Sequence, residues 1–133
     1  MKRLLSIDGG GIRGILPAML LEALEKREGK RIAAQFDLLA GTSTGGILTI
    51  GAAAGLPASR MVELYRDKGT GIFYRSAVHE LASGGGVYGA KYPADFLEAE
   101  LGSLLGHDRL SHIQVPELLV PTYCTHLPHP MDV

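Results

Sequence analysis

Two glycine-rich turns, each placed directly after a short apolar run, constrain this chain more than any other feature: GGGIRG at residues 9–14 and GTSTGG at residues 41–46. Residues 4–7 are uncharged and stop at Asp8 and the first glycines, as a buried parallel strand would. Residues 36–40 lead into the second turn in the same way. Between them Leu16, Met19, Leu20, Ala23 and Leu24 form a stripe at helical spacing against Glu22, Glu25 and Lys26, with Pro17 in the first turn and Gly29 at the end. The two turns begin about 30 residues apart, the length of one β-α-β unit. A right-handed crossover between neighbouring parallel strands puts both turns at one edge of the sheet. The pattern predicts an α/β fold, a mainly parallel sheet with helices on both faces, in which residues 9–14 and 41–45 face each other.

The remaining pattern adds elements around that unit. Residues 47–54 read as a buried helix whose small residues allow close approach to a sheet. Residues 59–68 read as a helix with Met61, Leu64 and Tyr65 inward, and 69–92, with little periodicity, as an irregular excursion. A helix over 93–105 carries Phe96, Leu97, Leu101, Leu104 and Leu105 on one face. Residues 117–124 make a third strand. Residues 38–59 carry no charge and have the length of a membrane span, but Gly41, Gly45, Gly46, Gly51, Gly55 and Pro57 divide them into a turn, a short helix and a stop.

A chain of 133 residues is one domain at most. A net charge of -1 gives no basic footprint, which excludes nucleic acid as the expected partner. Cys124 is the single cysteine, so no internal disulfide forms; a reducing, cytoplasmic setting is expected. The N-terminal apolar run is broken at Asp8, too early for a secretion signal.

Gly9, Gly11 and Gly14 fit G-x-G-x-x-G, a dinucleotide fingerprint when it joins a strand to a helix. That reading wants an acidic residue at the end of the second strand to hold a ribose, and here the strand ends in Ala40-Gly41. Asp8 at the mouth of the turn would oppose a pyrophosphate. Gly41-Thr42-Ser43-Thr44-Gly45 matches G-x-S-x-G, between a strand and a helix as a nucleophile elbow requires. A serine nucleophile needs N–H donors aimed at the oxyanion of its tetrahedral intermediate, and the glycines of the adjacent turn supply them. The five histidines have no distinguishing setting, and His126 and His129 lack a third metal ligand. No metal and no cofactor is expected.

With DGGGIRG at 8–14 and GTSTGG at 41–46, in this order and separation, the chain resembles the patatin-like phospholipase family of lipid acyl hydrolases. Phe36-Asp37-Leu38-Leu39-Ala40, Glu63-Leu64-Tyr65 and Lys91-Tyr92 extend the similarity to about residue 123. The resemblance implies a three-layer fold, an oxyanion hole at Gly9, Gly10 and Gly11, and Ser43 as the nucleophile of a Ser-Asp dyad. Asp8, Arg13, Gly14, Gly41 and Gly45 support that site, and Arg13 orders the turn. The implied substrate is a lipid acyl ester, which can be met at a membrane surface. The family's aspartate lies in a D-G-G or D-G-A motif downstream of the elbow, and no such motif follows Ser43 in these 133 residues. Residues 1–133 therefore read as the amino-terminal part of one patatin-like domain, without its base. A catalytically dead acyl-binding or interaction fragment is the alternative.

Overall fold

The computed structural model describes residues 1–69, 72, 94–106, 109–113 and 116–122. Strands β1 (Leu4–Ile7), β2 (Leu38–Gly41) and β3 (Glu117–Leu119) form one parallel sheet in the order β1-β2-β3. Helices α1 (Ile15–Glu28), α2 (Thr44–Ala53), α3 (Ala58–Glu63) and α4 (Ala94–Leu105) are described with 3-10 turns over Gly11–Gly14, Ile32–Ala34 and Leu110–His112 and a π-helical turn over Leu64–Lys68. In the register, Leu5 pairs with Leu39 and Leu39 with Leu118; Ile7 pairs with Gly41. The α/β class and the β-α-β unit are those expected from the sequence, and the carboxyl ends of β1 and β2 lie side by side.

Alternation along the strands sends Leu5, Ile7, Leu39 and Leu118 to one face. There α2 lies across all three strands, and Leu39 and Leu48 are completely buried. Because the strand order is sequential, two right-handed crossovers run in the same direction and carry their helices on this one face. The opposite face holds Leu4, Leu38, Ala40 and Leu119, and is partly open: Leu4 is 66% exposed and Leu119 60%. The helices expected on that second face are not among the described residues.

Helix α1 buries a different stripe from the one its spacing predicts. Ala18 and Leu21 enter the core, while Leu16, Met19 and Leu20 are exposed, Leu20 by 72%. The first two turns of α1 are apolar almost all round, so their spacing does not select a face. Selection comes from α3, which packs closely on α1. Leu16 and Leu20 instead border a groove of about 400 Å³ that runs beside β1 from Asp8 and Gly9. The expected glycine stop holds, with Gly29 left-handed at φ 64.

Glu25, set by its spacing on the polar side of α1, is a structural acceptor. Its carboxylate receives the backbone N–H groups of Ile32 (3.0 Å) and Ala58 (3.0 Å) and pairs with Arg31. It thereby ties α1 to the connection before β2 and to the start of α3. An amide left unpaired in such a place costs about 1–3 kcal/mol.

The helix expected over 59–68 is two structures: α3, then a π-helical turn over Leu64–Lys68. Met61, Leu64 and Tyr65 are buried as expected. Helix α4 meets this turn through the ion pair Lys68–Glu100, 3.3 Å. Helix α2 starts at Thr44, a turn earlier than its apolar run suggests. The side chains of Phe96 and Leu97, the excursion over 69–92 apart from residues 69 and 72, and the end of the third strand beyond residue 122 lie outside the described residues. No helix among the described residues is long and apolar enough to cross a membrane.

Asp37 fastens the sheet at the end away from the glycine turns. Its carboxylate accepts from the Arg3 N–H (2.8 Å) and Lys2 Nζ (3.2 Å), while its own N–H and C=O bond to Arg3 and Glu117. The Arg3 hydrogen bond, and then Lys2, hold this carboxyl below the usual carboxylate range. A depressed folded-state pKa contributes stability above the unfolded value, which is lost as pH falls through the folded one. The urea midpoint should therefore fall on acidification below about pH 4. Asp37→Asn should flatten that limb; an unchanged acid limb in the variant would remove Asp37 from the account.

Candidate active site

The junction between β2 and α2 is a turn that only glycine permits at two places. A Cβ on Gly41 would collide with the Gly45 carbonyl, and one on Gly45 with the backbone of Ile7 and Asp8. Gly45 therefore rides directly against the end of β1. The turn is closed by the Thr42 N–H to Ile7 O (3.2 Å) and the Gly45 N–H to Thr42 O (3.0 Å).

Ser43 stands at the apex, exposed, with φ 55 and ψ -121, the one non-glycine residue at positive φ among the described residues. Such a conformation costs about 1–3 kcal/mol and persists only where the surroundings impose it. It is the N-cap of α2, and its carbonyl accepts the first helical bond from Ile47 at 3.1 Å. The partial positive charge of the helix N-terminus thus lies beneath the hydroxyl.

The first glycine turn closes over this apex. A Cβ on Gly9 would lie 3.0 Å from both Ser43 Cβ and the Thr42 carbonyl oxygen, so the backbone of the turn is in contact with the serine. Gly10 donates its N–H to Thr44 Oγ1 at 3.1 Å, and its carbonyl accepts from the Arg13 N–H (3.2 Å) and Arg13 Nε (3.4 Å). Gly11 follows at φ 57 and begins the 3-10 turn. Gly14 ends that turn against Tyr65: a Cβ there would lie 2.7 Å from the phenol oxygen. Asp8 and Arg13 are exposed beside the turn.

Two residues that the sequence reading left out of the site hold it together. Thr44, 3% exposed, takes the Gly10 amide on its hydroxyl and the Tyr65 O–H on its carbonyl, at 3.2 Å. Burial pushes the Tyr65 phenol up to about 12, with the Thr44 side chain partly opposing the shift. Tyr65 is accordingly a neutral donor at working pH. The available signals were the second threonine inside G-x-S-x-G and an aromatic residue on the inward side of the 59–68 helix.

Other candidates lie elsewhere. Asp37 belongs to the opposite edge, pairing with Arg3, and His112 ends the 3-10 turn that precedes β3 in sequence. Asp67 is exposed on the π-helical turn. Asp108, Asp132, His79, His107, His126, His129 and Cys124, with the side chain of Asp95, lie outside the described residues. Among the described residues there is no group of three or more His, Cys, Asp or Glu side chains placed to hold a metal.

A strained, exposed serine between a parallel strand and a helix, with a glycine turn lying against it, is the elbow geometry of the α/β serine hydrolases. The patatin-like phospholipase family model matches residues 5–130, and the chain belongs to that family. It is 34% identical over 134 residues to Patatin-like protein 4 of Arabidopsis thaliana, covering 90% of this chain and 33% of that protein. Patatin-17 of Solanum cardiophyllum is 36% identical over 139 residues, covering 92% of this chain and 33% of the relative. A cGAMP-activated phospholipase of Pseudomonas aeruginosa is 45% identical over 69 residues, 52% of this chain and 21% of that protein. The chain thus spans about a third of the length of the patatin relatives it matches.

Proposed function

We propose that residues 1–133 carry the nucleophile and the oxyanion turn of a lipid acyl hydrolase of the phospholipase A or esterase type. The observation that carries this reading is Ser43, held exposed at φ 55 with the Gly9 backbone against it. Family membership supports the lipid class of the substrate. Ser43 Oγ attacks the ester carbonyl carbon and gives its proton to a carboxylate base, while amides of the Gly9–Gly11 turn receive the developing oxyanion. Collapse of the intermediate expels the alcohol, which takes the proton, and water then releases the acyl group by the same steps in reverse order. The base is an aspartate of the Asp-Gly type, placed in the part of the domain that the longer relatives contain and these residues do not. Substrate is drawn from a lipid surface, and the single cysteine fits a cytoplasmic setting.

The test uses the full-length protein and its Ser43→Ala variant on acyl esters of increasing chain length, on phospholipid vesicles and on a peptide substrate. Apolar esters should be cleaved, peptides left intact, and the alanine variant inactive. Ester turnover that survives Ser43→Ala would remove the nucleophile. Ser43-dependent peptide cleavage would remove the lipid class, and lipid binding without any turnover would establish the non-catalytic alternative.

A further inference from the structure

We infer that Thr44 is a positioning residue, whose hydroxyl locks the glycine turn to the elbow, and that Tyr65 locks Thr44 from behind. The inference rests on the hydrolase reading of Ser43 and assigns separate roles within its site. Gly10 is fixed on both sides: its N–H reaches Thr44 Oγ1 at 3.1 Å, and its carbonyl is held by Arg13. A trans peptide points its N–H opposite to its carbonyl. Holding the Gly10 carbonyl toward Arg13 therefore turns the Gly11 N–H the other way, free of any hydrogen bond within the described residues. The Gly10 amide, already used by Thr44, is the clamp; the Gly11 amide and the Thr44 N–H at the first position of α2 are the donors left for an oxyanion.

The clamp itself has little freedom. Thr44 and Tyr65 are each 3% exposed, and the Tyr65 O–H reaches the Thr44 carbonyl at 3.2 Å. The same ring fills the space above Gly14, the last residue of the 3-10 turn. Tyr65 thus touches the oxyanion turn at its end and the elbow at its start. Such an arrangement keeps two separate loops in fixed relation without either side chain touching substrate, and a misplacement near 1 Å can cost about 10²-fold in rate.

Thr44→Val keeps the branched shape and the backbone N–H but removes the acceptor. In the full-length protein it should lower kcat about 10- to 100-fold with KM within about twofold, and Thr44→Ser should restore kcat to within about threefold. In nitrogen-15-labelled protein the Gly10 amide should exchange at least about tenfold faster in the valine variant and slow again in the serine variant. Tyr65→Phe should lower kcat about three- to tenfold at unchanged KM, and provides the test in a folded protein if the valine variant does not fold. Native kcat in folded Thr44→Val or Tyr65→Phe, a loss that appears in KM, or a loss that serine does not rescue would overturn the inference. Ser43→Ala, run alongside, separates the cases: activity that survives it defeats the hydrolase reading, while the Gly10 exchange still decides the clamp.

Discussion

Residues 1–133 on their own are expected to turn over a short acyl ester at least about 10⁴-fold more slowly than a chain extended through the next Asp-Gly-Gly or Asp-Gly-Ala motif. A serine hydroxyl is a weak nucleophile at its free pKa and depends on a positioned base. Of the described aspartates near the strand ends, Asp8 is exposed beside the glycine turn and Asp37 lies at the other end of the sheet. Asp37 is committed to Arg3 and Lys2 at the far edge. The glycine turn remains, so a faint Ser43-dependent trace is consistent with this expectation. Ester turnover and labelling by a fluorophosphonate, compared between the two lengths, make the measurement. Equal rates, both abolished by Ser43→Ala, would mean that a histidine or aspartate among these 133 residues acts as the base.

Gly45→Ala should have the largest effect on folding of any single methyl group added here. The new Cβ would be driven into the Ile7 carbonyl, a backbone atom in the middle of the core that no rotamer change can move aside. A penalty above about 4 kcal/mol is expected, a large part of the whole stability of a small domain. Gly102→Ala is the matching control: it lies inside α4 with open space around it, and should stabilise by up to about 1 kcal/mol. Urea unfolding followed by circular dichroism compares the two. A Gly45→Ala midpoint close to that of the parent would show that β1 and α2 can separate without loss, contrary to the packing described.

The two turns were legible in the sequence because their requirement is local. A residue that must run against another backbone is written as glycine, and Gly41 and Gly45 bracket Ser43 for that reason. Spacing then placed both turns on one sheet edge, as the pairing of Ile7 with Gly41 bears out. What failed were inferences about single side chains whose partners are distant in sequence. Leu16, Met19 and Leu20 were assigned inward because they are apolar, yet Ala18 and Leu21 are equally so, and α3 decides between them. Glu25 looked like one charge on the polar side of α1, since the Ala58 amide it accepts is 33 residues away in sequence. Thr44 was passed over because its partners, Gly10 and Tyr65, come from two other segments.

The π-helical turn at Leu64–Lys68 changes the phase of everything after it. In an uninterrupted α-helix each residue advances by about 100°, so the position seven after Met61 would return to within about 20° of the inward direction. That position is Lys68. The wide turn delays the rotation by about one residue, and it is Gly69 that arrives inside while Lys68 stays exposed and pairs with Glu100. Gly69 lies under Ile12, so close that a Cβ would sit 2.5 Å from its terminal methyl. Ile12 in turn belongs to the 3-10 turn over Gly11–Gly14, whose glycine loop lies against Ser43. A single widened turn thus works as an offset gear, exchanging a long cation for a bare backbone at the spot where the Ile12 side chain comes down on it.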